Sequence, residues 1–125
     1  MHPNEDLLRR EYDAFARGDV ASLDDIFADD IVYHVPGHNP FSGDHRGKEA
    51  VYELFRLDRR ASFRSEIHDI LANDRHAVAL TVVKGARQGR VLEDITVHVV
   101  HVVDGKITEA WFFPGDQAAS DAFWS

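Results

Sequence analysis

Apolar residues recur at helical spacing early in the chain and at strand spacing through its second half. Leu8, Tyr12 and Phe15 share one face of a helix that Asn4 caps, that carries Asp6 in its first turn, and that ends near Arg17 at Gly18-Asp19. Leu23, Ile26 and Phe27 mark a second short helix over residues 20–27, stopping before Asp29-Asp30. Residues 31–35 read as a strand closed by Pro36-Gly37. Residues 36–47, with His38, His45 and Arg46, read as an ordered loop over one end of the fold. A third helix follows over 48–61, with Val51, Leu54, Phe55 and Leu57 on its apolar side. Four strands then run over 63–71, 76–86, 90–103 and 106–113. Asn73-Asp74, Gln88-Gly89 and Asp104-Gly105 break them, each a turn of hairpin type, because Gly, Asn and Asp adopt positive φ cheaply. A short amphipathic tail ends in Phe123-Trp124.

This order predicts an α+β fold with the helices gathered on one face of an antiparallel meander. With 125 residues and 44% hydrophobic composition, residues 1–125 are expected to form a single soluble domain with room for a small internal pocket. Against 14 Lys+Arg stand 22 Asp+Glu, a formal charge of −8 that repels phosphate backbones and anionic headgroups, so nucleic acid and membrane are not expected as partners. The chain has no cysteine, which excludes disulfides, thiolate nucleophiles and Cys-based metal sites. The first residues hold neither a basic region nor an apolar run, so a cytoplasmic address is expected.

Phe27-Ala28-Asp29-Asp30 before the first strand, Asp104 to Glu109 leading into the last, and the pieces Gly18-Asp19, 33–37, Gly43, Arg46-Gly47 and Asp116-Gln117 carry a resemblance. With this element order, the chain resembles the nuclear transport factor 2-like superfamily, in its SnoaL-like and ketosteroid-isomerase-like branch. The resemblance implies a cystatin-like cone, a strongly bent, mostly antiparallel sheet wrapped around helices with an internal pocket. It also implies a homodimer through the sheet's outer face, and a small hydrophobic or aromatic molecule as ligand. Members isomerise, cyclise, dehydrate or only bind, so the fold leaves the reaction open. Steroid isomerases use an Asp base with a Tyr and a protonated Asp as oxyanion donors. Those positions fall on Val35, on Glu11 beside Tyr12, and near Val99, so that mechanism is not expected.

Other residues offer acid/base chemistry. Side chains alternate along a strand, and Ile95, Val97, Val99, His101 and Val103 form the greasier face of the third long strand. His101 is therefore expected in the pocket, as a functional imidazole or a satisfied core histidine, and His98 on the opposite face. By the same parity Tyr33 shares the pocket face with Ile31 and Val35, while His34 either donates to a ligand or braces the loop. Asp116 is either an acid/base carboxylate or the N-cap of the tail helix. Tyr12 is a pocket phenol or a core tyrosine tied to a carbonyl. The last strand has apolar residues on both faces and reads as covered on both sides. The expected catalytic set is His101, Asp116, His34 and Tyr33, and the expected pocket lining is Tyr12, Phe15, Phe55, Val35, Val99, Trp111 and Phe112. His98 and His101 point to opposite sides of their strand, and His34, His38 and His45 straddle a loop, so no metal site is expected.

The function these features predict is cofactor-free acid/base chemistry on a carbonyl compound by a small-molecule isomerase, cyclase or lyase of SnoaL-like type. The alternative is a non-catalytic ligand-binding or dimerisation module of the same fold.

Overall fold

The structure, a computed structural model, describes residues 1–58 and 62–125, and side chains other than those of residues 57, 58 and 62. The expected helix end at Ala61 and the apolar Leu57 side chain lie outside the described residues. Elements follow in the order α1 (Pro3–Arg17), α2 (Val20–Ile26), β1 (Phe27–Val35), β2 (Gly43–Arg46), α3 (Lys48–Asp58), β3 (Ser62–Ala72), β4 (His76–Arg87), β5 (Arg90–Val103), β6 (Lys106–Pro114) and α4 (Gln117–Trp124). The strands form one curled sheet in the order β2-β1-β6-β5-β4-β3. All neighbours are antiparallel except β1 and β6, which run parallel.

Local chemistry accounts for the boundaries. His2, not Asn4, caps α1: its Nδ1 accepts the Asn4 backbone N–H at 3.0 Å, with Pro3 opening the helix. Asn4 is instead buried and donates its amide to the Asn73 carbonyl at 2.8 Å, tying α1 to the β3–β4 turn. Gly18 ends α1 in the left-handed region at φ 68, and the Asp19 side chain caps α2. Phe27 opens β1 rather than closing α2, because it pairs with Ile107 of β6. The expected loop over 36–47 contains the short strand β2, which pairs with the end of β1. Asp104 and Gly105 both have positive φ, as the β5–β6 hairpin requires.

The core lies between the helices and the concave face of the sheet. Leu7, Leu8 and Ala14 of α1 and Val51 and Leu54 of α3 pack with Ile31, Tyr33, Ala79, Val100 and Ala110 from the strands. A fully buried leucine such as Leu8 contributes about 2 kcal/mol of apolar transfer. α4 closes one end. Its approach needs a glycine at 37, where a Cβ would lie 2.2 Å from the Gln117 amide nitrogen. Arg87 and Arg90 donate to the carbonyls of Phe123, Ala122 and Ser125, where cations complement a helix C-terminus.

The outer face of the sheet carries the larger surprise. Ile95 is 62% exposed, Phe113 52% and Val103 45%. The greasier side of β5 therefore points outward, and Leu92, His98, Val100 and Val102 are its buried residues. In the last strand Ala110 is buried while Phe113, on the other face, is exposed, so within one chain β6 is covered on one side.

Candidate active site

The amphipathic stripe of α1 carries an acid. Residues 4, 7, 8, 11 and 14 are the buried positions of the helix, and position 11 is a glutamate only 4% exposed. Its Oε1 accepts a short hydrogen bond from the Tyr33 hydroxyl, which β1 directs inward. Oε2 is buried and has no hydrogen-bond partner among the described residues. Burial pushes the Glu11 pKa from 4.5 to about 7, with the Tyr33 bond opposing the shift.

Beside it, β5 presents His98, 2% exposed and stacked on Phe112 at 4.2 Å between ring centroids. The Tyr12 hydroxyl lies 2.8 Å from His98 Nδ1. With Tyr12 donating its hydroxyl proton to Nδ1, the ring's own proton is on Nε2. Nε2 is also buried and has no partner among the described residues. Burial lowers the His98 pKa to about 3, which keeps the imidazole neutral at physiological pH. Burial, then the nearby Glu11, hold the Tyr12 phenol well above its usual value and so protonated.

Glu11, Tyr12, Tyr33 and His98 line one chamber of about 300 Å³, with Phe15, Phe55, Phe63 and Phe112 among its walls. A carboxyl-bearing residue with a pKa of about 7 and a neutral imidazole thus line the same chamber, whose walls also include Arg64 and Ser65. Such a pair can remove a proton from carbon and hydrogen-bond the oxygen on which charge accumulates. No group of three or more His, Asp or Glu with metal-binding geometry occurs among the described residues.

The structure brings together Tyr33, Tyr12, Phe15, Phe55 and Phe112 from the expected set, and Val35 lines an adjoining chamber. It does not bring in the rest. His101 faces outward and stacks on His76 at 5.1 Å, because apolar character on β5 marks the outer face and the pocket side holds Thr96 and His98. Val99 and Trp111 are paired neighbours on that outer face and line neither chamber. His34 is also outside, stacked on Trp111 and bonded to Asp44 at 2.7 Å and Glu109 at 2.6 Å, joining β2, β1 and β6. Burial works against its proton, but the bonds to Glu109 and Asp44 prevail and raise its pKa. Asp116 is exposed and caps α4 by accepting the Ala119 N–H at 3.0 Å. Glu11, expected only as the position of the isomerase tyrosine, and His98, expected on the opposite face, lie outside the expected site set. The signal for Glu11 was available as a carboxylate three and four residues from Leu8 and Leu7 on one helix face.

Residues 8–110 match the model of the SnoaL-like domain. The chain belongs to the SnoaL-like family. An uncharacterized protein of Mycobacterium tuberculosis is 35% identical over 124 residues, spanning 96% of this SnoaL-like chain and 95% of that one. The solved structure of Bal32a, from a soil-derived mobile gene cassette, is 27% identical and superposes with a TM-score of 0.93 over 98% of this chain and 97% of that one. Wild-type IdmH from Streptomyces antibioticus, a putative polyketide cyclase, shares the fold at 22% identity, with a TM-score of 0.75 over 91% and 93% of the two chains.

Proposed function

We propose that this SnoaL-like protein is a cofactor-free isomerase or cyclase acting on a small hydrophobic or aromatic carbonyl compound. The observation that carries the reading is that Glu11 and His98 line one chamber, each with a buried side-chain atom, Oε2 and Nε2, that has no hydrogen-bond partner among the described residues. Ionised Glu11 takes the proton from the carbon next to the carbonyl, and the C–H electron pair moves into an enolate. His98 Nε2–H donates to the enolate oxygen, while the Tyr12 hydroxyl holds the ring in the tautomer that does so. Tyr33 keeps the carboxylate oriented through Oε1. Protonated Glu11 then returns its proton to a different carbon, which is isomerisation, or the enolate carbon attacks a second carbonyl, whose π electrons move to its oxygen and take the proton from Glu11, which is cyclisation. The family membership and the cyclase named among the fold's neighbours support the same class.

The test is exchange of α-hydrogen for deuterium in a bound cyclic ketone, followed by proton NMR. The wild type is expected to catalyse exchange with a rate that rises through an inflection near pH 7, and Glu11→Gln is expected to lose about 10²–10⁴-fold. Full exchange activity in Glu11→Gln contradicts the reading.

We infer also that a second copy covers the outer face bearing Ile95, Trp111 and Phe113, since Ile95 and Phe113 are exposed there on the neighbouring strands β5 and β6. A light-scattering mass of a single 14.2 kDa chain contradicts this.

A further inference from the structure

The chamber that holds Glu11 and His98 is not the whole cavity. A second space of about 150 Å³ adjoins it, and Tyr12, Tyr33, Phe55, Phe63, Ser65 and Phe112 form walls of both. The far walls of this second chamber differ in chemistry from the first. They include Thr96 of β5 and Gln117 and Ser120 of α4, together with Asp94. Neither the Thr96 nor the Ser120 hydroxyl has a hydrogen bond within the protein among the described residues. Gln117 gives its amide nitrogen to Asp121 at 3.1 Å and keeps its carbonyl oxygen uncommitted.

Charge narrows the ligand further. No Lys, Arg or His lines this second chamber among the described residues. Its one carboxylate, Asp94, accepts the backbone N–H groups of Ile95 at 2.8 Å and Asp116 at 3.0 Å. An anionic group placed here meets a like charge with no cation to offset it, in a protein of formal charge −8. A neutral hydroxyl or phenol meets two hydroxyls and a carbonyl oxygen free to bond it.

We propose that the second chamber is a specificity subsite for the far end of an elongated, uncharged substrate. That end carries neutral hydroxyl groups, bonded by Thr96, Ser120 and Gln117, while the carbonyl end lies at Glu11 and His98. The inference rests on the proposed function for which end of the molecule reacts. It excludes substrates that are free acids, phosphates or acyl thioesters of a charged carrier at that end. α4 therefore selects the substrate: Ser120 and Gln117 reach the chamber from a helix fixed by Arg87 and Arg90 at one end and by the approach of Gly37 at the other.

The experiment compares three probes on the intact protein: a phenylcyclohexanone, its para-hydroxy derivative and its para-carboxy derivative. Affinity is measured by calorimetry, and α-deuterium exchange is followed on the same samples. The hydroxy ketone is expected to bind about tenfold tighter than the parent, the value of one well-made hydrogen bond, and the carboxy ketone more weakly than the parent. The hydroxy-to-parent ratio is expected to fall to about one in Thr96→Val combined with Ser120→Ala. Thr96→Ser, which keeps the hydroxyl, is expected to retain it. A carboxy ketone that binds as well as the hydroxy ketone overturns the proposal, as does a ratio that survives the double substitution or failure of all three ketones to bind. Hydroxyl preference without exchange leaves the subsite standing and refutes the chemistry at Glu11. Exchange without hydroxyl preference does the reverse.

Discussion

The two faces of β5 carry one histidine each, three residues apart, and they live in opposite surroundings. His98 is enclosed, bonded to one tyrosine, stacked on Phe112 and held neutral. His101 lies outside against His76, on a face where isoleucine, valine and phenylalanine side chains are exposed. A pocket that performs acid/base chemistry must hold polar groups, so its side of the sheet is the less apolar one. The greasy side of a two-faced sheet is where another protein surface would dry it. On β5, hydrophobicity alone therefore assigns the wrong face to the pocket.

The sharpest way to break this comparison is to remove each ring in turn. His98→Phe is expected to cut α-hydrogen exchange by about 10²–10³-fold, because the enolate loses its donor in a site that excludes water. His101→Phe is expected to leave exchange within about twofold. Equal losses from both substitutions would mean that the two faces do not divide chemistry from surface.

A second contrast concerns stability against pH, where Glu11 and His98 act in opposite senses. Glu11 has a raised folded pKa, so its favourable contribution is complete below pH 4.5 and is lost as pH rises through about 7. His98 has a lowered one, so its contribution is present above pH 6.5 and is lost as pH falls toward about 3. Between 4.5 and 6.5 the slopes from these two groups cancel. Glu11→Gln removes one of them, and its unfolding free energy, measured by denaturant titration, is expected to gain roughly 3 kcal/mol relative to the wild type between pH 4.5 and 7. A parallel pair of curves would show that Glu11 titrates alike in the folded and unfolded chain.

The smallest expected effect on chemistry comes from the outer face. Phe113→Asp, at a residue 52% exposed, is expected to halve the solution mass while leaving exchange per chain within about twofold. If mass and exchange fall together, the interface also shapes the cavity.

Much of the fold was legible because local chemistry and periodicity agreed. Gly18 and Asp19 end one helix and begin the next, Asp104-Gly105 makes its hairpin, and the four long strands run within a residue or so of their expected limits. The errors have physical causes. Phe27 reads as the last apolar residue of α2, but pairing with Ile107, eighty positions along the chain, makes it strand. Asn4 is a good cap by type, yet His2 takes that role and frees Asn4 for Asn73. At the site, Tyr12 and Tyr33 could be placed by spacing alone. Glu11 was passed over because a carboxylate on an apolar stripe looks like an exposed neighbour until the partner that bonds it, Tyr33, is brought across from β1. His98 was misplaced by the outer face's apolar character. His34 and Asp116 are polar groups near strand and helix ends, where bracing and capping use the same residue types as catalysis.

Glu11 as a buried base poised at neutral pH is tested most directly by its own titration. Carbon NMR of protein labelled at the glutamate carboxyl carbons, compared with Glu11→Gln to assign the resonance, follows that one group. One resonance, absent in Glu11→Gln, is expected to titrate near pH 7. If the Glu11 resonance titrates near pH 4.5 instead, the chamber holds an ordinary carboxylate and the account of its chemistry is wrong.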